Sequence, residues 1–597
     1  MRKVLVGLLC TVALGAFANP ADDLLNRIDK GAAAKFKTVL VKSDKDFFEI
    51  DQARTRKGNS TSAASKSATG KNNPIIIRGN SWVNIAVGIN WYLKHHAGIH
   101  ISWNNMNVKL PAVLPIVKQK ERHETDLKLR YNFNYCTFSY TMAFWDWNRW
   151  QKEIDWMALH GINMPLAAVG TESVWRNMLL KLGYSEEEVG KFIAGPAFLA
   201  WWEMNNLEGW GGPLPLGWYK QQEALQKKIL ARMKEMGMKP VLPGYCGMVP
   251  HDAKQKLGLN VTDAGRWNSY QRPANLSPTD SRFAEIADLY YKELTRLYGK
   301  SDYYSMDPFH ESGNDAAVDY GKAGEALMSA MKRANPHAIW VVQGWNENPR
   351  PQMIANLKVG DLLVLDLFSE SRQNFKDFCT GENTSGTGKK DFSTSKKEGI
   401  YGKHQWLFCL LENFGGNVGL HGRMDQLLNN FYLATGKKDT PKQENSSLLT
   451  LHSSLKGWGF TMEGSENNPV MFELMSELPW RAEKITKEDW IREYCYARYG
   501  VHDATIEKAW ILLAQSIYNC PKGNIQQGTH ESIFCARPSL NSYQVSTWSL
   551  MSNYYDPEDT RQAAILLTSV AEKYRGNNNF EYDLVDICRQ ALADQGR

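Results

Sequence analysis

The chain has 597 residues, 43% of them hydrophobic and 22% charged, and a net charge of +6. That length exceeds one ordinary core and predicts two or three domains. The lysines are spread along the chain, which excludes a nucleic-acid footprint, and beyond the leader no stretch reaches the ~18 uninterrupted apolar residues of a membrane span.

In chain order, Arg2 and Lys3 precede an apolar run from Val4 to Leu14 and the small-residue site Ala16-Phe17-Ala18. This is the pattern of a secretory signal over residues 1–18, so an exported, periplasmic or extracellular protein is expected. Helical spacing over 21–36, an extended stretch, a Ser-, Lys- and Gly-rich loop over 51–73 and then strand, helix, strand to Trp103 predict a small N-terminal α/β domain over 19–118. His95, His96 and His100 are assigned to structure or surface, because adjacent histidines on a helix point in different directions.

From Asn132 strands and helices alternate. The expected strands are 137–141, 162–169, 239–245, 303–309, 338–344, 362–368, 405–411 and 455–461. Eight apolar runs separated by helices predict a parallel (β/α)8 TIM-like barrel over 119–479. Stripes such as Trp150, Ile154, Met157 and Leu225, Ile229, Met233 are the faces such helices pack on a sheet. From Trp480 to Arg597 the pattern is helical, a C-terminal all-helical domain. Of nine cysteines, Cys10 lies in the leader, and Cys520 and Cys535 flank a short loop and could pair after export. No cysteine spacing fits a zinc site, and no metal or cofactor is expected.

The candidate chemistry sits at strand ends. The strand from Tyr303 breaks at Pro308 and presents His310 and Glu311; the strand from Leu455 ends before Glu463, with Gly and Pro just beyond. Two carboxyls in one barrel mouth can supply the acid and the nucleophile or base of glycosidic cleavage. Charge pattern by itself leaves Glu203, Glu347, Asp366, Glu370, Glu412 and Glu466 as further candidates. Aromatic residues near strand ends, among them Trp345, Phe414 and Trp210, suit the flat C–H faces of sugars as well as they suit a core. A zincin helix, a phosphate loop, a dinucleotide fingerprint and a Gly-x-Ser-x-Gly elbow are all missing from the sequence.

The blocks NYCTFSYTMAFWDWNRWQKEIDWMALHGINMPLA, GMKPVLPGYCGMVP, LLVLDLFSES, ENFGGNVGLHG and TMEGSENNPVMFELMSELPWR resemble the alpha-N-acetylglucosaminidases of glycoside hydrolase family 89 from about Tyr131 onward. The resemblance implies the same three-part architecture and retaining hydrolysis of a glycan with terminal alpha-linked N-acetylglucosamine. It places the acid/base on Glu311 and the nucleophile on Glu463, with Asn134, Cys136, Trp201, Trp267, Trp345, Phe414 and His530 around the sugar. His310 stands where many barrel glycosidases carry Asn, and as a protonatable neighbour it is expected either to shift the Glu311 carboxyl or to contact the acetamido group. The family's helical domain is longer than the stretch after Trp480, so this chain is expected to stop short of the family's full length. A sugar-binding protein without turnover is the alternative from another class, and a beta-acting hexosaminidase is a third.

Overall fold

The computed structural model describes residues 19–52, 73–309, 311, 318–346, 348–372, 374–375, 403–437, 451–522, 538, 540 and 553–596. Strands β1 (Phe36–Leu40), β2 (Asp46–Gln52), β3 (Ile75–Gly79) and β4 (Glu121–Thr125) form a first sheet in the order β1-β3-β2-β4. The helix Trp82–His95 lies on it, its first turn capped by Ser81, whose hydroxyl accepts from Asn84 N–H at 3.1 Å. Gly88 permits the close approach, since a Cβ there would stand 2.8 Å from the Ile77 side chain. The strand expected around Ile99–Trp103 is replaced by a single bridge between Ser102 and Asn105. That segment directs its polar groups toward the C-terminal helices instead: Asn579 Nδ2 donates to the His100 carbonyl at 3.2 Å and Arg498 Nη1 to Ser102 Oγ at 3.3 Å. β4 supplies the fourth strand, pairing antiparallel with β2.

The barrel is built from β5 (Leu129–Asn132), β6 (Met164–Pro165) and β7 (Val241–Pro243), and, after an insertion, five further strands. The insertion carries β8 (Met248–Val249), β9 (Val261–Asp263), β10 (Arg266–Trp267), β11 (Tyr270–Gln271) and β12 (Ala274–Leu276), arranged as the sheet β8-β12-β9 and the hairpin β10-β11. The barrel then continues with β13 (Tyr303–Ser305), β14 (Ile339–Gly344), β15 (Leu362–Asp366), β16 (Gln405–Leu410) and β17 (Leu455–Phe460), in the order β6-β5-β17-β16-β15-β14-β13-β7. All seven pairings are parallel. The ring closes between β6 and β7 through a Leu166–Val241 bridge, with Ala167 N–H donating to the Val241 carbonyl at 2.9 Å. At Gly457 a Cβ would fall 1.7 Å from the Leu129 carbonyl oxygen, so β17 and β5 can approach only through glycine.

The architecture is therefore the (β/α)8 barrel between a small α/β unit and a helical C-terminal unit that the sequence rhythm predicts. The first expected strand is corrected: residues Thr137–Tyr140 form one helical turn, and the barrel opens with β5. The turn is set by Asn134, whose Oδ1 accepts from Cys136 N–H at 3.0 Å while its own N–H donates to Thr137 Oγ1 at 3.0 Å, a local pattern that competes with strand pairing. The helices Lys487–Tyr499, Ala504–Gln515, Pro557–Ser569 and Asn578–Gln595 make the C-terminal unit. Cys520 is a buried free thiol, and Cys535 lies outside the described residues. Among the described residues no helix is long and apolar enough to cross a membrane.

A buried charge network holds the three units together. Lys94 Nζ, from the first unit, lies 2.9 Å from Glu473 Oε2 and 2.6 Å from Glu477 Oε1 on the last barrel helix, Pro469–Glu477. Glu473 Oε1 also meets His160 Nε2 at 2.5 Å and His100 Nε2 at 2.9 Å. From His100 the network passes through Arg498 Nη1, at 3.0 Å from Nδ1, to Asp583 of the last helix, whose Oδ1 accepts from Arg498 Nη2 at 2.6 Å. Burial opposes ionisation of Glu473, but His160, Lys94 and His100 hold its carboxyl well below the usual range.

Candidate active site

Both candidate carboxyls stand where a short strand ends and the backbone turns sharply. After β13 the chain passes through the buried Asp307 to Phe309 and Glu311, both with positive φ (58° and 50°), a conformation that costs roughly 1–2 kcal/mol for non-glycine residues. Asp307 anchors this bend to the neighbouring strand end: its Oδ1 accepts from Gln343 N–H at 2.8 Å and from Asn348 Nδ2 at 3.0 Å. Glu311 Oε2 accepts from Trp267 Nε1 at 2.6 Å and from Asn206 Nδ2 at 2.9 Å, and its carbonyl accepts from Arg272 Nη2 at 2.9 Å. The acid is thus held by the insertion after β7, which carries Trp267 and Arg272, and by Asn206 from the stretch between β6 and β7.

Glu463 follows the buried Thr461 and Met462 at the end of β17. Its Oε2 accepts from Gly415 N–H at 2.6 Å. That donor is fixed by a loop of left-handed residues, Asn413, Gly415 and Gly416, at φ 54°, 67° and 71°. Asn413 Nδ2 donates to the Gly464 carbonyl at 2.8 Å, and Asn468 Nδ2 donates to Asn413 Oδ1 at 2.8 Å, so the donor loop and the Glu463 loop are bound to each other. Burial, and then the nearby Glu311, push the Glu463 carboxyl up to about 7 against the opposing Gly415 hydrogen bond.

Burial, then the charges of Glu463 and Glu311 in that order, push the Cys136 thiol well above the ordinary value. Asn134 lies beside it, with Nδ2 3.4 Å from the Thr461 carbonyl. The resemblance makes Cys136 a pocket residue; it is a buried free thiol at the start of the helical turn Thr137–Tyr140. Trp345 and Phe414 form a ring pair at 6.0 Å, in a small apolar cluster with Phe368 and Leu411 that is separate from the main core. Trp201 meets Tyr140 edge-on at 5.0 Å, and Tyr140 covers Gly416, where a Cβ would fall 2.7 Å from its ring. His310, His530 and Glu347 lie outside the described residues.

The remaining acids have other surroundings. Glu466 pairs with Arg149 at 2.7 Å on the surface, and Asp366 accepts from Ser369 Oγ at 2.9 Å. Burial pushes Glu412 up to about 8 against the Arg423 charge; burial and Glu412 raise Glu370, which accepts from Leu411 N–H at 2.9 Å. Glu203 is raised by burial and lines an internal cavity of about 20 Å³ beside Tyr135, Cys246 and Asp307. Asn206 and Arg272, which sequence reasoning missed, sit in insertions with no local pattern to mark them. Gly415 was legible in principle, as half of a Gly-Gly pair just past a strand end.

A closed parallel barrel with two carboxyls at the carboxyl ends of its strands, framed by tryptophans, defines the class of barrel glycoside hydrolases. The chain belongs to the alpha-N-acetylglucosaminidase family: the family's N-terminal, TIM-barrel and C-terminal domain profiles match residues 19–116, 130–482 and 490–597. Human alpha-N-acetylglucosaminidase is 34% identical over 535 residues, which cover 87% of this chain and 66% of the human one. A family 89 glycoside hydrolase from Clostridium perfringens, solved in complex with 2-acetamido-1,2-dideoxynojirmycin, superposes with a TM-score of 0.83 at 30% identity, covering 97% of this chain and 61% of its own. The same bacterial enzyme, with two glutamates replaced by glutamine, was solved with its substrate GlcNAc-alpha-1,4-galactose and matches with a TM-score of 0.82. This chain spans a little under two thirds of the length of these relatives.

Proposed function

We propose that this chain is an exported retaining glycosidase that removes terminal alpha-linked N-acetylglucosamine by double displacement. The observation that carries the reading is the placement of Glu311 and Glu463 just past the ends of β13 and β17 of one closed barrel, near enough for the Glu311 charge to raise the Glu463 carboxyl. The named activity of the human relative, and the bacterial relative crystallised with GlcNAc-alpha-1,4-galactose after two Glu-to-Gln changes, support it.

In the first step Glu311 gives its proton to the glycosidic oxygen as the C1–oxygen bond breaks, and a Glu463 oxygen bonds to C1 from the opposite face. Gly415 N–H holds Glu463 Oε2 and so aims the carboxyl. In the second step the Glu311 carboxylate takes a proton from water, the water oxygen bonds to C1, and Glu463 leaves as a carboxylate. A protein nucleophile is needed because the acetamido group of an alpha-linked sugar is cis to the leaving oxygen and cannot reach C1 from behind. Asn134, Cys136, Trp201, Trp267, Trp345 and Phe414 surround the sugar in this reading.

The test is release of the aglycone from a chromogenic aryl alpha-N-acetylglucosaminide. Glu463→Gln is expected to lower turnover on the order of ten-thousandfold; undiminished turnover would overturn the assignment. Binding of N-acetylglucosamine by the unaltered chain with no release at all would favour the non-catalytic alternative. Export rests on the leader pattern of residues 1–18 and on Asn19, whose Oδ1 caps the first helix by accepting from Ala21 N–H at 3.1 Å. N-terminal sequencing of the secreted protein is expected to begin at Asn19, and retention of Met1 would contradict it.

A further inference from the structure

A chain of aromatic rings runs along one side of the barrel mouth, from the Glu311 side to the Glu463 side. Trp267, whose indole holds Glu311, lies 6.3 Å from Tyr270 with the rings 32° apart. Tyr270 meets Trp210 at 5.2 Å, Trp210 meets Phe198 at 6.2 Å, Phe198 meets Trp201 at 6.5 Å, and Trp201 meets Tyr140 at 5.0 Å beside the Gly415–Gly416 loop. Trp210 is the outermost of the two tryptophans next to Tyr270, and half of its surface is exposed.

A single half-exposed tryptophan is ordinary by itself, but here the chain is built to hold the ring in place. Trp210 stands between Gly209 and Gly211, both at positive φ (65° and 71°). A Cβ on Gly209 would fall 2.2 Å from the Lys191 carbonyl oxygen, and one on Gly195 would fall 2.1 Å from that of Gly211. Gly195 N–H donates to the Trp210 carbonyl at 2.8 Å, and Gly209 N–H to the Phe192 carbonyl at 2.9 Å. Glu208 N–H donates to the Gln271 carbonyl at 3.1 Å, which ties this loop to the hairpin carrying Trp267 and Tyr270. Three glycines and three backbone hydrogen bonds thus fix the ring in register with the acid.

We infer that Trp210 is a platform for the sugars on the leaving-group side of the substrate, beyond the one directly attached to N-acetylglucosamine. The inference rests on the function proposed above. Glu311 protonates the glycosidic oxygen, so the departing sugar lies next to Glu311, and the rings of Trp267, Tyr270 and Trp210 lead outward from that point. The occupant is an oligosaccharide: pyranose rings present C–H faces to the indole and leave their hydroxyl rims to water. The enzyme is thereby built to prefer a terminal N-acetylglucosamine on an extended glycan over the same sugar on a short aglycone.

The test compares the aryl alpha-N-acetylglucosaminide with a tetrasaccharide capped by alpha-N-acetylglucosamine. Trp210→Ala is expected to lower kcat/KM for the tetrasaccharide roughly three- to tenfold relative to the aryl glycoside, through KM, and Trp210→Tyr is expected to restore most of the loss. A parallel fall on both substrates would assign Trp210 to packing, and an unchanged ratio would remove it from the binding surface; either overturns the inference. Should the unaltered chain fail to turn over the aryl glycoside, the proposed function fails, while calorimetry still decides the platform: tighter binding of the tetrasaccharide than of N-acetylglucosamine, lost in Trp210→Ala, upholds it, and equal binding refutes it.

Discussion

Glu463 is costly to the fold because its carboxyl is buried. In an unfolded chain a Glu titrates near 4.3, and in this site burial and Glu311 raise that value to about 7. Between these two values the native state binds the proton that the unfolded state has already lost, so native stability falls as pH rises through that window. Glu463→Gln has no proton to lose and keeps an acceptor for Gly415 N–H. It is expected to be more stable than the unaltered chain at pH 8, by up to about 3 kcal/mol, and equal to it near pH 4. Denaturant midpoints at the two pH values measure this, and an identical pH dependence would contradict the burial of the charge. At this scale the sequence was legible in part. That Glu311 and Glu463 end strands could be read from Pro308, Gly464 and Pro469, and their roles came from the resemblance. Their selection over Glu203, Glu370 and Glu412 required knowing which carboxyls share a mouth, and Asn206 and Arg272 reach Glu311 through insertions whose course no periodicity describes.

Among the elements, the apolar runs marked seven of the eight barrel strands, although β6, β7 and β13 are shorter than their runs because the chain turns into the mouth early. The run over 137–141 misled for a physical reason. The strand that opens the barrel, β5, contains Arg130, fully buried and therefore hidden from any search for continuous apolar residues. Its Nη1 lies 2.6 Å from Asp46 Oδ2 and its Nη2 donates to Asn84 Oδ1 at 2.8 Å, so the charge is neutralised by the first unit. Burial opposes ionisation of Asp46 but Arg130 overcomes it and holds its carboxyl below the usual range. A strand satisfied by another domain carries a pattern that its own sequence cannot explain. The glycines of β17 were the opposite case: visible in KGWGF, yet intelligible only once Gly457 is seen against Leu129.

Across the whole molecule, the network around Glu473 and Glu477 governs how the units behave as one body. Lys94→Met would leave two buried carboxylates short of a cation, a loss on the order of 3–5 kcal/mol at pH 7. Because Glu473 and Glu477 are held well below their usual values when paired, their contribution is present above the unfolded value near 4.3 and is lost as pH falls through the folded one. The stability gap between Lys94→Met and the unaltered chain is therefore expected to narrow from pH 7 to pH 5, as the unpaired acids take up protons. Calorimetric scans at both values check it, and equal melting at pH 7 would show that the pair contributes nothing. The network also imposes an order in time. Lys94 belongs to the first unit to leave the ribosome, and its partner Glu473 lies 379 residues further on, roughly 20 to 75 s of synthesis at the usual rate. Through that interval the first unit carries an ammonium without its counter-ion, and so has a reason to stay loosely assembled. The helix that brings Glu473, Pro469–Glu477, begins just past Glu463, so the segment that supplies the second candidate carboxyl also supplies the counter-ions of Lys94.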